Sequence, residues 1–62
     1  MTDNKFMREA RAELGLSQPK LAAKLDISRP TIARYEREGY NVPESIIQDV
    51  ERFLRIHRRT KS

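Results

Sequence analysis

The apolar residues of this chain recur at helical spacing in four segments, which are separated by short polar stretches. In the first segment, four side chains share one stripe of a helix: Phe6, Met7, Ala10 and Leu14. This stripe predicts helix 1 from about residue 3 to residue 14, with Thr2 or Asp3 as its N-cap. Gly15 follows directly, and glycine favours the left-handed conformation that ends many helices.

The second segment contains the start signals of a helix and a tight turn after it. Ser17 is the predicted N-cap of helix 2, which runs from about residue 18 to residue 25. Pro19 falls in the first turn, where its missing N–H removes no helical hydrogen bond. The buried edge is formed by Leu21, Ala22 and Leu25. Asp26 follows where we expect a positive φ, which costs aspartate more than glycine, so the turn is predicted to be slightly strained.

The third segment has two faces of different character. Helix 3 is predicted from about residue 29 to residue 38, with Ser28 as its N-cap and Gly39 as its end. Its inner side carries Ile32, Tyr35 and Glu36. Its outer side carries Pro30, Ala33, Arg34 and Arg37, with Arg29 at the N-terminal tip. The outer face is small and basic, which is typical of a helix that lies against a charged surface.

The fourth segment is the longest. It predicts helix 4 from Pro43, a favoured first helical residue, to about His57. The apolar stripe consists of Ile46, Ile47, Val50, Phe53, Leu54 and His57. We expect Ile56 and Tyr40 to be exposed, as candidates for a dimer surface. Residues 58–62 have no apolar anchor, which predicts a basic, flexible tail after a domain of residues 1–57.

Length and composition limit the possible functions. A chain of 62 residues forms one domain, and four helical segments make its fold class all-α. No apolar run approaches the roughly 18 residues of a membrane span, and the absence of cysteine fits a cytoplasmic protein. With a lone histidine, His57, and no glycine-rich phosphate loop, we expect neither an enzyme, nor a metal or cofactor, nor a small-molecule ligand.

The net charge of +4 is unevenly distributed along the chain. Residues 17–37 contain five bases and two acids, residues 38–51 four acids and no base, and residues 52–62 five bases and no acid. Two basic regions that flank an acidic one indicate a polyanionic partner, and nucleic acid is the first candidate.

The residues from Gln18 onward match the spacing of a helix-turn-helix. With Gln18 as the first position, the small residue, the turn residue and three core residues fall at Ala22, Asp26, Ile27, Ile32 and Tyr35. Together with residues 11–18 (RAELGLSQ), this pattern closely resembles the phage repressor and Cro-type (XRE-like) family of DNA-binding domains over about residues 6–50. The resemblance implies a compact, lambda-repressor-like bundle of four helices, with five as the alternative, in which helix 3 enters the major groove.

The resemblance also implies roles for individual residues. Contacts with base edges are implied for Arg29, Pro30 and Arg34. Phosphate contacts are implied for Gln18, Ser28 and Arg37. Arg11 and Glu36 match a partly buried ion pair between helices 1 and 3. From side-chain chemistry we add Ala33, which can meet a thymine methyl group, and Lys20 and Lys24, which can attract phosphates.

These observations predict a sequence-specific regulator that binds double-stranded DNA. We expect a transcriptional repressor that binds a pseudo-palindromic operator as a homodimer, in a bacterial or phage-infected cytoplasm. The alternative is an antitoxin-like or adaptor protein that uses the same domain to bind another protein. An acidic or apolar outer face on helix 3 would favour that alternative, whereas the basic face favours DNA.

Overall fold

The computed structural model describes residues 3–61, and the secondary structure within this range is entirely helical. Its helices are α1 (Asp3–Leu14), α2 (Gln18–Leu25), α3 (Arg29–Tyr35) and α4 (Glu44–Lys61). The all-α fold class and the four-helix arrangement are therefore confirmed. The predicted bounds of α2 are also confirmed, whereas α3 and α4 end elsewhere than predicted. Thr2, a predicted cap of helix 1, lies outside the described residues.

One apolar core joins the four helices. Each helix contributes one fully buried large side chain, and these are Met7, Leu21, Ile32 and Val50. Smaller or slightly more exposed core positions are Ala10, Ala22, Leu25, Ile46 and Leu54. The predicted apolar stripes thus become the buried faces of the helices. Helix α3 packs mainly on α2, and α4 packs on α1, so that the outer face of α3 stays in solvent.

The local signals around α2 operate as expected. Ser17 has an extended backbone, and its Oγ accepts a hydrogen bond from the Lys20 N–H at 3.4 Å. At the other end, Asp26 is left-handed with φ 60° and ψ 43°, and its N–H bonds to the carbonyls of Ala22 and Ala23. The positive φ predicted for Asp26 is confirmed. The residue that follows, Ile27, packs against the core.

Replacing Asp26 by glycine should raise the free energy of unfolding by up to about 1 kcal/mol. The left-handed conformation costs an L-residue about 1–2 kcal/mol, and glycine offsets part of this gain through about 0.5–1 kcal/mol of lost chain entropy. Urea denaturation measures the difference. Asp26→Ala is the control, since it keeps the Cβ but loses the short polar group, and it should lower the stability. A loss of stability in the glycine variant would mean that the turn does not strain Asp26.

Helix α3 ends at Tyr35, so its predicted extension to residue 38 is wrong. Side chains of α1 bind the backbone after Tyr35 and hold it in a turn. The Asn4 Nδ2 donates to the carbonyls of Tyr35 and Tyr40, each at 2.8 Å, and its Oδ1 accepts from the Gly39 N–H at 3.0 Å. The Arg8 Nη1 donates to the Glu36 carbonyl at 2.6 Å. These bonds replace the hydrogen bonds of a further helical turn.

Helix α4 runs to Lys61, so its predicted end at His57 is also wrong. The last turn is supported by polar contacts where apolar ones are missing. The Arg58 guanidinium donates to both carboxylate oxygens of Glu13, at 2.8 and 3.0 Å, and the Thr60 hydroxyl donates to carbonyls one turn earlier. The hydrogen bond and the charge of Glu13 raise the pKa of Arg58. A domain boundary at residue 57 and a flexible segment 58–62 stay predictions.

Candidate nucleic-acid interface

Three exposed arginines mark the outer side of α3 and the turn after it. Arg29 and Arg34 lie on the helix, while Arg37, predicted to lie on its outer face, lies in the turn. Within residues 3–61, their guanidinium groups have no hydrogen bond or ion pair. Each therefore retains five N–H donors in a planar arrangement that suits phosphate or guanine oxygens.

Small residues separate these arginines. Pro30 is exposed in the first turn of α3, and Ala33 is half-buried. Ser28 is the N-cap of α3, as predicted, and its backbone is extended, but its side chain makes no capping hydrogen bond. The Ser28 hydroxyl instead forms a hydrogen bond of 2.7 Å with the Thr31 hydroxyl. A surface without bulky apolar side chains therefore lies between the basic groups.

The inner side of the same region is held by an ion pair. The Arg11 Nε donates to the Glu36 Oε2 at 2.6 Å, and the Arg11 Nη2 donates to the Glu36 Oε1 at 3.2 Å. The Glu36 side chain is 7% exposed and that of Arg11 27%. Arg11 also donates to the Leu16 carbonyl at 3.2 Å. The pair thus connects α1, the loop before α2, and the end of α3.

Gln18 also binds Glu36, and this contact is not evident from the sequence alone. Its Nε2 donates to the Glu36 Oε1 at 3.2 Å, and the residue is half-buried at the start of α2. The amide predicted to bind phosphate is therefore directed toward a carboxylate. The Glu36 carboxylate accepts three hydrogen bonds, which satisfy a charge that would otherwise be costly to bury.

The two lysines of α2 differ in their surroundings. Lys20 is exposed and forms no ion pair with the described part of the chain. Lys24 is also exposed, but its Nζ lies 4.8 Å from the ring centroid of Phe53 on α4. That distance permits a cation–π interaction. Lys24 therefore extends toward α4, whereas Lys20 makes no ion pair or ring contact with the described residues.

Asn4 and Arg8 are important residues that the sequence-based prediction misses. Asn4 is 2% exposed, and its three hydrogen bonds reach residues 31 to 36 positions away. The available signal was its position in the apolar stripe of α1, three residues before Met7. A polar residue at such a position is usually hydrogen-bonded, but its partners cannot be identified from spacing alone.

Two apolar side chains outside the core were predicted to be exposed. Tyr40 and Ile56 are 44% and 52% exposed, as predicted. No group of three residues that could hold a metal ion occurs among the residues described. None of the helices assigned within residues 3–61 combines the length and apolarity needed to span a membrane.

Comparison with known proteins places this geometry in a family. A family model described as Helix-turn-helix matches residues 7–60, which include all of α2 and α3 and most of α1 and α4. No curated protein and no solved structure matches the chain.

Proposed function

Because the chain belongs to the Cro/XRE-like helix-turn-helix family of DNA-binding transcription regulators, we propose that it is a sequence-specific repressor whose α3 enters the major groove. The observation that carries the proposal is the set of exposed arginines without partners among residues 3–61: Arg29, Arg34 and Arg37. They surround the outer face of α3, while Glu36, directly after α3, is bound to Arg11 of α1 and Gln18 of α2.

Base recognition is assigned to α3. Arg29 and Arg34 are five residues apart, which is about 7–8 Å along a helix axis, or a little over two base-pair steps of about 3.4 Å. Each guanidinium can donate two parallel hydrogen bonds to the O6 and N7 of a guanine. Pro30 and Ala33 have no side-chain donor, so they contribute apolar contact with a thymine methyl group and close approach.

Phosphate contacts are assigned in two groups. Arg37 and Lys20 are exposed and extend into solvent, so they can bind phosphates without rearrangement. Gln18 must first break its hydrogen bond with Glu36. Lys24 must first move away from the Phe53 ring. Ser28 can donate its hydroxyl if it exchanges Thr31 for a phosphate oxygen.

The proposed repressor acts as a homodimer at a pseudo-palindromic operator inside the cell. Two-fold symmetry would place one α3 in each of two successive major grooves, with half-sites about 34–36 Å apart. Occupation of promoter DNA by the dimer would itself exclude the transcription machinery, so that no further domain is required for repression.

Replacing Arg34 by alanine should relax specificity at one base pair. The loss of a bidentate contact is expected to reduce discrimination there by about 1–3 kcal/mol. The matched control is Lys20→Ala, which should weaken binding to all sequences alike and reduce the salt slope by about one. The operator motif is first selected from a random double-stranded DNA library, and affinities are then measured by fluorescence anisotropy at several salt concentrations.

Two results would contradict the proposal at different points. Failure of the wild-type protein to enrich any motif would reject sequence-specific DNA binding. Identical behaviour of the Arg34 and Lys20 variants would leave DNA binding intact but reject the division between base and phosphate contacts.

A further inference from the structure

A groove of about 260 Å³ lies between the end of α1, α2 and the C-terminal half of α4. Its walls are formed by Leu14, Leu16, Lys24, Phe53, Ile56 and His57. None of these residues belongs to α3, so the groove is separate from the proposed base-reading face.

The size of the groove suits a small ring. An apolar cavity of about 150 Å³ is sufficient to bind benzene in an engineered protein. The present groove is larger and partly open, and its floor and rim are mostly aliphatic or aromatic. Ile56 at the rim is 52% exposed, which leaves apolar surface in contact with water. A ligand with an apolar ring would remove this surface from water.

Two polar groups in the walls have no hydrogen-bond or ion-pair partner among residues 3–61. No carboxylate pairs with the Lys24 ammonium, which lies over the Phe53 ring instead. The Nε2 of His57 is buried and has no hydrogen-bond partner. A cation next to an apolar wall is complementary to an amphipathic anion.

We propose that this groove binds a small aromatic carboxylate. The ring would lie between Phe53 and the leucines of the floor, and the carboxylate would accept hydrogen bonds from the Lys24 ammonium. This ligand class contradicts the sequence-based expectation that no small molecule binds. Its site lies outside α3 and shares only Lys24 with the proposed DNA contacts.

The test is a titration of the ¹⁵N-labelled full chain with 3-phenylpropionate, followed by NMR. Amide shifts should change in residues around the groove, including Leu16, Phe53 and His57, with a dissociation constant on the order of 1 mM. The neutral analogue 3-phenylpropionamide has nearly the same shape and should bind more weakly. Lys24→Met should weaken binding of the carboxylate about threefold to tenfold and leave binding of the amide unchanged.

Lys20→Met is the matched control, because Lys20 is exposed one turn earlier on α2 and does not line the groove. It should bind the carboxylate as the wild type does. Equal losses in both variants would show diffuse attraction to a cationic surface and overturn the proposal. The absence of shifts around the groove would also overturn it. So would groove shifts that appear without any probe as the protein concentration rises, because a second copy would then be the occupant.

Discussion

Replacing Asn4 by leucine is expected to lower the free energy of unfolding by about 2–4 kcal/mol. The change removes three hydrogen bonds and leaves the carbonyls of Tyr35 and Tyr40 and the N–H of Gly39 without these partners. A buried polar group that loses its partner costs about 1–3 kcal/mol, and part of this is recovered where water can reach the turn. The loss is large for a domain of this length, whose total stability is of order 3–9 kcal/mol.

Urea denaturation followed by circular dichroism measures the effect. The matched control is Asn41→Leu, the same substitution at an exposed position, which should change the stability by less than about 0.5 kcal/mol. If both variants lose the same small amount, the bonds of Asn4 do not stabilise the fold. A shift of the Gly39 amide resonance in the Asn4 variant alone would verify that the turn has been released.

The second large effect is expected at Glu36. Replacement by alanine should destabilise the protein by about 2–4 kcal/mol, because the Arg11 guanidinium and the Gln18 amide both lose the carboxylate. Breaking a deeply buried pair costs about 3–5 kcal/mol. The value here is lower because Arg11 is 27% exposed and keeps its bond to the Leu16 carbonyl.

Two further variants separate the ion pair from a general effect of the mutation. Glu38→Ala removes an exposed carboxylate that lies 3.8 Å from Arg8, and it should cost less than about 1 kcal/mol. The double variant Arg11→Met with Glu36→Leu removes both charges and should recover part of the loss. A Glu36→Ala variant as stable as Glu38→Ala would show that burial of the pair contributes nothing.

The features predicted correctly from the sequence are those that neighbouring residues determine. The start of α2 depends on Ser17 and Pro19, and its end depends on Asp26, all within a few residues of the helix. The buried stripes depend only on helical periodicity. Helical periodicity also predicts that Arg29 and Arg34 are exposed, as the structure has them.

The errors at the end of α3 and at Gln18 have one physical cause, namely contacts between residues far apart in sequence. Helix α3 stops at Tyr35 because Asn4, 31 positions earlier, binds its carbonyl. Helix α4 continues past His57 on polar residues alone, which apolar periodicity does not reveal, and its Arg58 pairs there with Glu13, 45 positions away. Gln18 turns inward because its partner Glu36, which lies directly after α3, is 18 positions away. Helical propensity and capping rules contain no information about such partners.

The shortness of α3 limits how much information one copy of the protein can extract from DNA. Seven residues span only about 10 Å, or some three to four base pairs. A perfect reading of four pairs distinguishes about 256 sequences, and two half-sites distinguish about 65,000, whereas a genome presents about 10⁶–10⁹ competing positions. An operator read by this helix alone would therefore recur many times by chance. Selective repression would then depend on several adjacent sites, on DNA deformability between half-sites, or on a high local density of operators.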